Sequence, residues 1–185
     1  MKMEKLKAYL KETVVTEEEI QDIVNRLADK LNAEYVDVKE PIVVVGLLKG
    51  GLLFTVDVFK KLDFPCTVDF FWATSYVGSA QSSRLEIKKD LSEDVEGKHI
   101  IVLNDLVSTA NSMQIITNKL KERNPASVRV FTLLSRKNSR KYDFTPDFVG
   151  KEVGDEFLVG YGMDYNDLFR NLPYIASLDD RFYKQ

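Results

Sequence analysis

Five segments carry the residues with chemistry to offer. In Gly46-Leu47-Leu48-Lys49-Gly50-Gly51, glycines let the backbone approach an anion closely and Lys49 adds a point charge. A helix start follows, so amide groups and the helix dipole would favour a phosphate there. The plainer alternative is an ordinary strand-to-helix turn. The run Ser75-Tyr76-Val77-Gly78-Ser79-Ala80-Gln81-Ser82-Ser83 is small, polar and longer than a tight turn needs. It reads either as a lid that closes over a site or as a surface connection. In Asn104-Asp105-Leu106-Val107-Ser108-Thr109-Ala110-Asn111-Ser112, an apolar run delivers a polar pair, and a hydroxyl-rich turn then opens a helix. Amides and hydroxyls there could receive a phosphate, or Ser108 or Thr109 could simply cap the helix. In Ser135-Arg136-Lys137-Asn138-Ser139-Arg140-Lys141, only Arg136 and Lys137 lie near enough to the preceding apolar run to enter a site. Last, Asp155 to Ile175 combines Phe157, Asp164 and Arg170, which could stack a base and hold a charged group. Composition alone would assign the same residues to core aromatics and surface ions.

The elements between these segments set where they fall. Ile20, Ile23, Val24, Leu27 and Leu31 recur at helical spacing, so 17–32 reads as a helix, with Thr16 and Glu19 as a capping box. Ile42 to Val45 is a short β-branched run of the kind buried on both faces of a sheet. Helices are expected over 52–62 and 111–123, and strands over 67–72, 100–103 and 128–134. Strands alternating with helices imply βαβ units and a parallel sheet flanked by helices, an α/β class. In such sheets ligands bind at the carboxyl ends of strands, which is where the first four segments lie.

Composition narrows the classes. The chain has 185 residues, the size of one domain spanning 1–185, with 44% hydrophobic and 30% charged residues. A net charge of −3 gives no electrostatic case for nucleic acid or a membrane surface. No apolar run approaches the roughly 18 residues of a membrane helix, so a cytoplasmic protein is expected. The single cysteine, Cys66, excludes an intrachain disulfide and reads as a buried core residue. The single histidine, His99, reads as structural.

Taken together, the segments resemble the hypoxanthine-guanine (6-oxopurine) phosphoribosyltransferases, in order and spacing from about Thr16 to Ile175. The matching motifs are Val44 to Gly51, Ser75-Tyr76, Val159-Gly160-Tyr161-Gly162-Met163-Asp164-Tyr165-Asn166 and Phe169-Arg170-Asn171-Leu172-Pro173-Tyr174-Ile175. The resemblance implies the type I phosphoribosyltransferase fold, a central parallel sheet with a small hood from both chain ends. It implies transfer of phosphoribose from 5-phosphoribosyl pyrophosphate (PRPP) to a purine, with Mg²⁺. It implies that Lys49, Gly50 and Arg170 hold pyrophosphate, that Ser75 and Tyr76 begin a closing loop, and that Asp105 and Asp164 position metal. It also implies that Thr109, Ala110, Asn111 and Ser112 receive the 5′-phosphate. Phe157 would stack on the purine, the Leu158 backbone would bond its edge, and Arg136 would stand where the family's purine-reading lysine does. Relatives are dimers or tetramers, so a homo-oligomer is expected.

The resemblance also exposes departures. The family's acidic pair is Asn104-Asp105 here, and its Asp-Thr-Gly is Ser108-Thr109-Ala110. An amide brings no charge to ribose hydroxyls or Mg²⁺. The serine at the general-base position can bond purine N7 but cannot take its proton near pH 7. Two functions follow from these residues: a slow or altered purine phosphoribosyltransferase, or a silent homologue that binds purine nucleotides and acts on a partner.

Overall fold

In the computed structural model, residues 4, 7–76, 84–139 and 141–182 are described. Six strands form the main sheet in the order β4-β3-β2-β5-β6-β7: β2 (Ile42–Leu48), β3 (Thr67–Tyr76), β4 (Arg84–Lys89), β5 (His99–Val107), β6 (Ser127–Ser135) and β7 (Phe148–Glu152). All neighbours are parallel except β4, which returns antiparallel along β3. The β-branched run of β2 is fully buried because β3 and β5 flank it and helices cover both faces.

The pleat divides the core. Val44, Ile101, Leu103, Phe131 and Leu133 point to one face, against α1 (Glu17–Tyr35) and α2 (Leu52–Phe59). Val43, Val45, Ile100, Val102 and Val130 point to the other, against Met113, Ile116 and Leu120 of α3 (Asn111–Lys121). Helix α1 begins where the capping box places it: Glu19 N donates to Thr16 Oγ1 at 3.1 Å and Thr16 N to Glu19 Oε2 at 2.9 Å. It continues beyond residue 32 because Tyr35 is also buried against the sheet, 4% exposed.

A second sheet has the order β1-β9-β8, from β1 (Leu10–Val15), β9 (Ile175–Leu178) and β8 (Leu158–Val159). Both chain ends therefore build it, as the hood was expected to be built. Its pairing is antiparallel, with Val15 opposite Ile175 and Leu158 opposite Ser177.

Strands run longer than their apolar cores suggested. β5 continues to Val107, so Asn104 and Asp105 lie within the strand and not in the loop after it. His99 opens β5 at the opposite end from the candidate site, with Nδ1 2.7 Å from Ser127 Oγ and its ring edge-on to Tyr35. Cys66 is half-buried beside the core, less enclosed than expected, and burial pushes its thiol pKa up. Among the described residues no helix is long and apolar enough to cross a membrane.

Candidate active site

The carboxyl ends of β2 and β5 open on one cavity of about 300 Å³. Its polar border is Gly50, Asn104, Asp105, Ser108, Thr109 and Ser112; Leu47, Phe71, Leu106 and Ala110 supply apolar wall. Each residue arrives by a local cause. Buried β5 carries Asn104 and Asp105 to the floor, and the turn after Val107 carries Ser108 and Thr109 to the rim.

Helix α3 starts from Ala110, which has φ +68 and ψ −2, the left-handed region. Ala110 offers no side-chain acceptor to the first-turn amides, and no side-chain cap is formed. Ser108 and Thr109 thus do not serve as the helix cap that sequence reasoning held open. The positive end of the α3 dipole faces the cavity, an arrangement that attracts an anion.

Asn104 is only 6% exposed, yet its Nδ2 has no hydrogen-bond partner among the described residues. A buried amide donor left unpaired destabilises by about 1–3 kcal/mol unless a ligand or water satisfies it. Beside it, burial pushes the Asp105 carboxyl pKa up. The Leu106 amide, its own amide and Arg170 oppose that shift, and Asp164 adds to it.

Two glycines lock three segments together. A Cβ on Gly50 would lie 1.8 Å from Asp105 Oδ2, and one on Gly162 would lie 1.9 Å from the Gly50 carbonyl oxygen. Gly162 also has φ +98, where a side chain is strained. This close stack brings the segment after β8, with Asp164 and Arg170, against the cavity rim.

There Arg170 Nη2 lies 2.8 Å from Asp164 Oδ1, and Nη1 donates to the Gly162 carbonyl at 2.7 Å. Lys49 follows a cis Leu48–Lys49 peptide bond, and its ammonium lies 5.5 Å from the centre of the Trp72 ring. Lys49 and Arg170 both pair with Asp167, a residue that sequence reasoning passed over. Asp105 borders the cavity, and Asp164, near enough to act on its charge, is held by Arg170 and the Asp167 amide. Among the described residues, no three His, Cys, Asp or Glu side chains form a metal cage.

Lys49, Asp164, Arg170 and the remaining expected residues do not line the cavity. Phe157 is half-buried and stands edge-on to Tyr165, with ring centres 5.7 Å apart and planes at 90°. Leu178 N donates to the Phe157 carbonyl, so Leu158 and Ser177 are a non-hydrogen-bonded pair. The Leu158 N–H and C=O consequently point away from β9. Arg136 does not extend into the cavity: its Nε donates to the Gly154 carbonyl at 2.8 Å and Nη2 to the Glu156 carbonyl. It therefore braces the segment leading to Phe157. Asn111 is the first residue of α3. Ser75 and Tyr76 end β3, and the rest of the expected lid, 77–83, falls outside the described residues.

The arrangement suits a phosphorylated sugar: an anion at α3, hydroxyls near Asn104 and Asp105, and a second anion between Lys49 and Arg170. Known proteins share the fold and much of the sequence. The phosphoribosyl transferase domain family matches residues 12–166. A hypoxanthine-guanine phosphoribosyltransferase of Staphylococcus aureus is 40% identical over 175 residues, covering 94% of this chain and 97% of the relative. The crystal structure of a hypoxanthine phosphoribosyltransferase from Staphylococcus aureus matches with a TM-score of 0.92 and 38% identity, covering 98% of each chain. That of Trypanosoma cruzi, in complex with the product IMP, matches with a TM-score of 0.88 and 28% identity, covering 95% of this chain and 97% of that one.

Proposed function

This chain belongs to the hypoxanthine-guanine phosphoribosyltransferase family, and we propose that within it the protein is a slow purine-salvage enzyme. It would join hypoxanthine or guanine to PRPP, giving the nucleoside monophosphate and pyrophosphate. The observation that carries the reading is the cavity itself. The positive end of the α3 dipole and Asn104 Nδ2, without a partner among the described residues, border one space, and both suit a ligand rich in oxygen.

Purine N9 would form a bond to the ribose anomeric carbon as the bond to pyrophosphate oxygen breaks, with the electron pair leaving on pyrophosphate. The Thr109 and Ser112 hydroxyls and the α3 amides, including those of Asn111 and Ser112, would hold the 5′-phosphate. Asn104 would donate through Nδ2 to a ribose oxygen, while Asp105 would accept from a ribose hydroxyl. Phe157 would stack on the purine and the Leu158 backbone would bond its edge. Arg136 would act on the base through the 154–156 segment it braces. Lys49, Gly50 and Arg170 would receive pyrophosphate, with Ser75 and Tyr76 at the base of a closing loop. Asp105 and Asp164 fit Mg²⁺, a hard cation that takes one or two carboxylates and completes its shell from substrate and water. When bound, the ion would offset charge on the departing pyrophosphate.

Ser108 would accept a hydrogen bond from N7–H without removing the proton, which must pass to water. General acid–base help is typically worth ~10²–10⁴-fold, so the turnover should be slow by a factor in that range or less. By resemblance the working form is a cytoplasmic homodimer or homotetramer of single-domain chains.

Ser108 and Asn104 also favour a second reading, a silent homologue that binds purine nucleotides and acts on a protein partner. One assay separates the two: PRPP, Mg²⁺ and each of hypoxanthine, guanine and xanthine, with nucleotide formation followed directly. Slow product formation supports the enzyme. GMP or IMP binding with no turnover above buffer for all three bases supports the silent form.

A further inference from the structure

Lys49 and Arg170, the two cations proposed to receive pyrophosphate, already hold an anion supplied by the chain. Asp167 Oδ1 lies 2.9 Å from Lys49 Nζ and 2.9 Å from Arg170 Nη2. One carboxylate oxygen thus joins two cations brought from the loop after β2 and the segment after β8. The Asp167 side chain is 66% exposed, so solvent and ligand can reach it.

The backbone presents this oxygen in a demanding conformation. Tyr165 and Leu168 exchange hydrogen bonds across a two-residue turn, Leu168 N to Tyr165 O at 3.0 Å and Tyr165 N to Leu168 O at 3.2 Å. Asn166 and Asp167 have φ +51 and +61, the left-handed pair of a type I′ turn. Asn suits the first of these positions, and glycine is the least strained residue at the second. The chain instead carries Asp there, and Asp167 N donates to Asp164 Oδ2 at 2.8 Å, which fixes the turn against the Asp164–Arg170 pair.

We infer that Asp167 is a resident counter-ion, occupying the anion position between Lys49 and Arg170 until a diphosphate displaces it. The inference rests on the proposed reading for the identity of that diphosphate, the pyrophosphate group. Apparent affinity falls by the fraction of protein whose site is open. Two exposed pairs of ordinary surface strength correspond to roughly a three- to tenfold reduction. Asp167 would then specify how readily PRPP enters and pyrophosphate leaves.

The test is calorimetric titration of the full chain with inorganic pyrophosphate and Mg²⁺, comparing Asp167→Asn and Asp167→Gly with the parent. Both substitutions remove the carboxylate and both tolerate the left-handed turn. Both variants should bind pyrophosphate about three- to tenfold tighter. Unchanged or weaker binding in both, including no binding by any form, overturns the inference. Tighter binding by the Gly variant alone also overturns it, because the effect would then belong to the turn. Nucleotide formation measured on the parent protein in parallel shows separately whether the enzymatic reading stands.

Discussion

Replacing Ser108 by Asp would return a proton acceptor to the cavity, and the structure indicates that the fold will accept it. Ser108 is half-buried at the cavity border, two residues ahead of Ala110, where α3 starts. A carboxylate there would sit at the positive end of the α3 dipole, an interaction worth about 0.3–1 kcal/mol. That field also favours the ionised form, the form able to take a proton. If the missing base limits the reaction, kcat/KM for guanine should rise by ~10²-fold or more, about 2.7 kcal/mol of transition-state stabilisation. The gain should fall on kcat, because the added group acts on the reacting base and not on ground-state phosphate binding. Initial rates of GMP formation at saturating PRPP and Mg²⁺, with a thermal melt of each protein, measure both quantities. A variant that melts like the parent and binds GMP equally, yet gains less than threefold, would refute the argument. Adding Asn104→Glu should help further only with ample Mg²⁺, because it places another charge next to Asp105, already raised by burial and by Asp164.

Other perturbations probe the scaffold and the platform. Gly50→Ala forces a methyl group to within 1.8 Å of Asp105 Oδ2, so it should destabilise by about 1–3 kcal/mol and abolish nucleotide formation, read by melt and assay. Phe157→Ala should weaken GMP binding about 10- to 100-fold by titration, the usual worth of a base stacked on an aromatic ring. Asp69, 8% exposed, receives Lys89 Nζ at 2.9 Å and the amides of Phe70 and Ser92. Burial alone would raise its carboxyl pKa, but these partners outweigh burial and hold it below the usual range. A depressed folded pKa means that its stabilisation is complete above the unfolded value of about 3.9 and is lost as pH falls through the folded value. Asp69→Asn should therefore be about 1–3 kcal/mol less stable at pH 7 and show a shallower decline below pH 4 in denaturant titrations.

Much of the scaffold could be read locally. Ile42 to Val45 and Ile100 to Leu103 are apolar on both sides of the pleat, so their place in the middle of a parallel sheet follows from side-chain type. Thr16 and Glu19 define the start of α1 through bonds spanning three residues. The glycine–lysine loop and the hydroxyl-rich turn are contiguous motifs, legible for the same reason. β1, β4, β7, β8 and β9 were missed: β1 has a largely exposed middle, β4 alternates with exposed residues, no residue of β7 is fully buried, and β8 and β9 are only two and four residues long. Their pairing partners, not their composition, make them strands.

What only the tertiary structure decided concerns contacts between distant segments. Arg136 turns to the carbonyls of Gly154 and Glu156, Ala110 adopts the left-handed start of α3, and Asp167 meets Lys49 and Arg170. Gly162 rests on Gly50, which rests on Asp105. Hydrophobic periodicity reports which face of one element is buried. It carries no record of which atom of another segment, over a hundred residues away, will fill the space beside it. The amino-acid sequence by itself thus determined the central strands and the chemistry on offer, and its resemblance implied the hood, whereas packing across the chain determined the sheet edges, which charges meet and which remain unpaired.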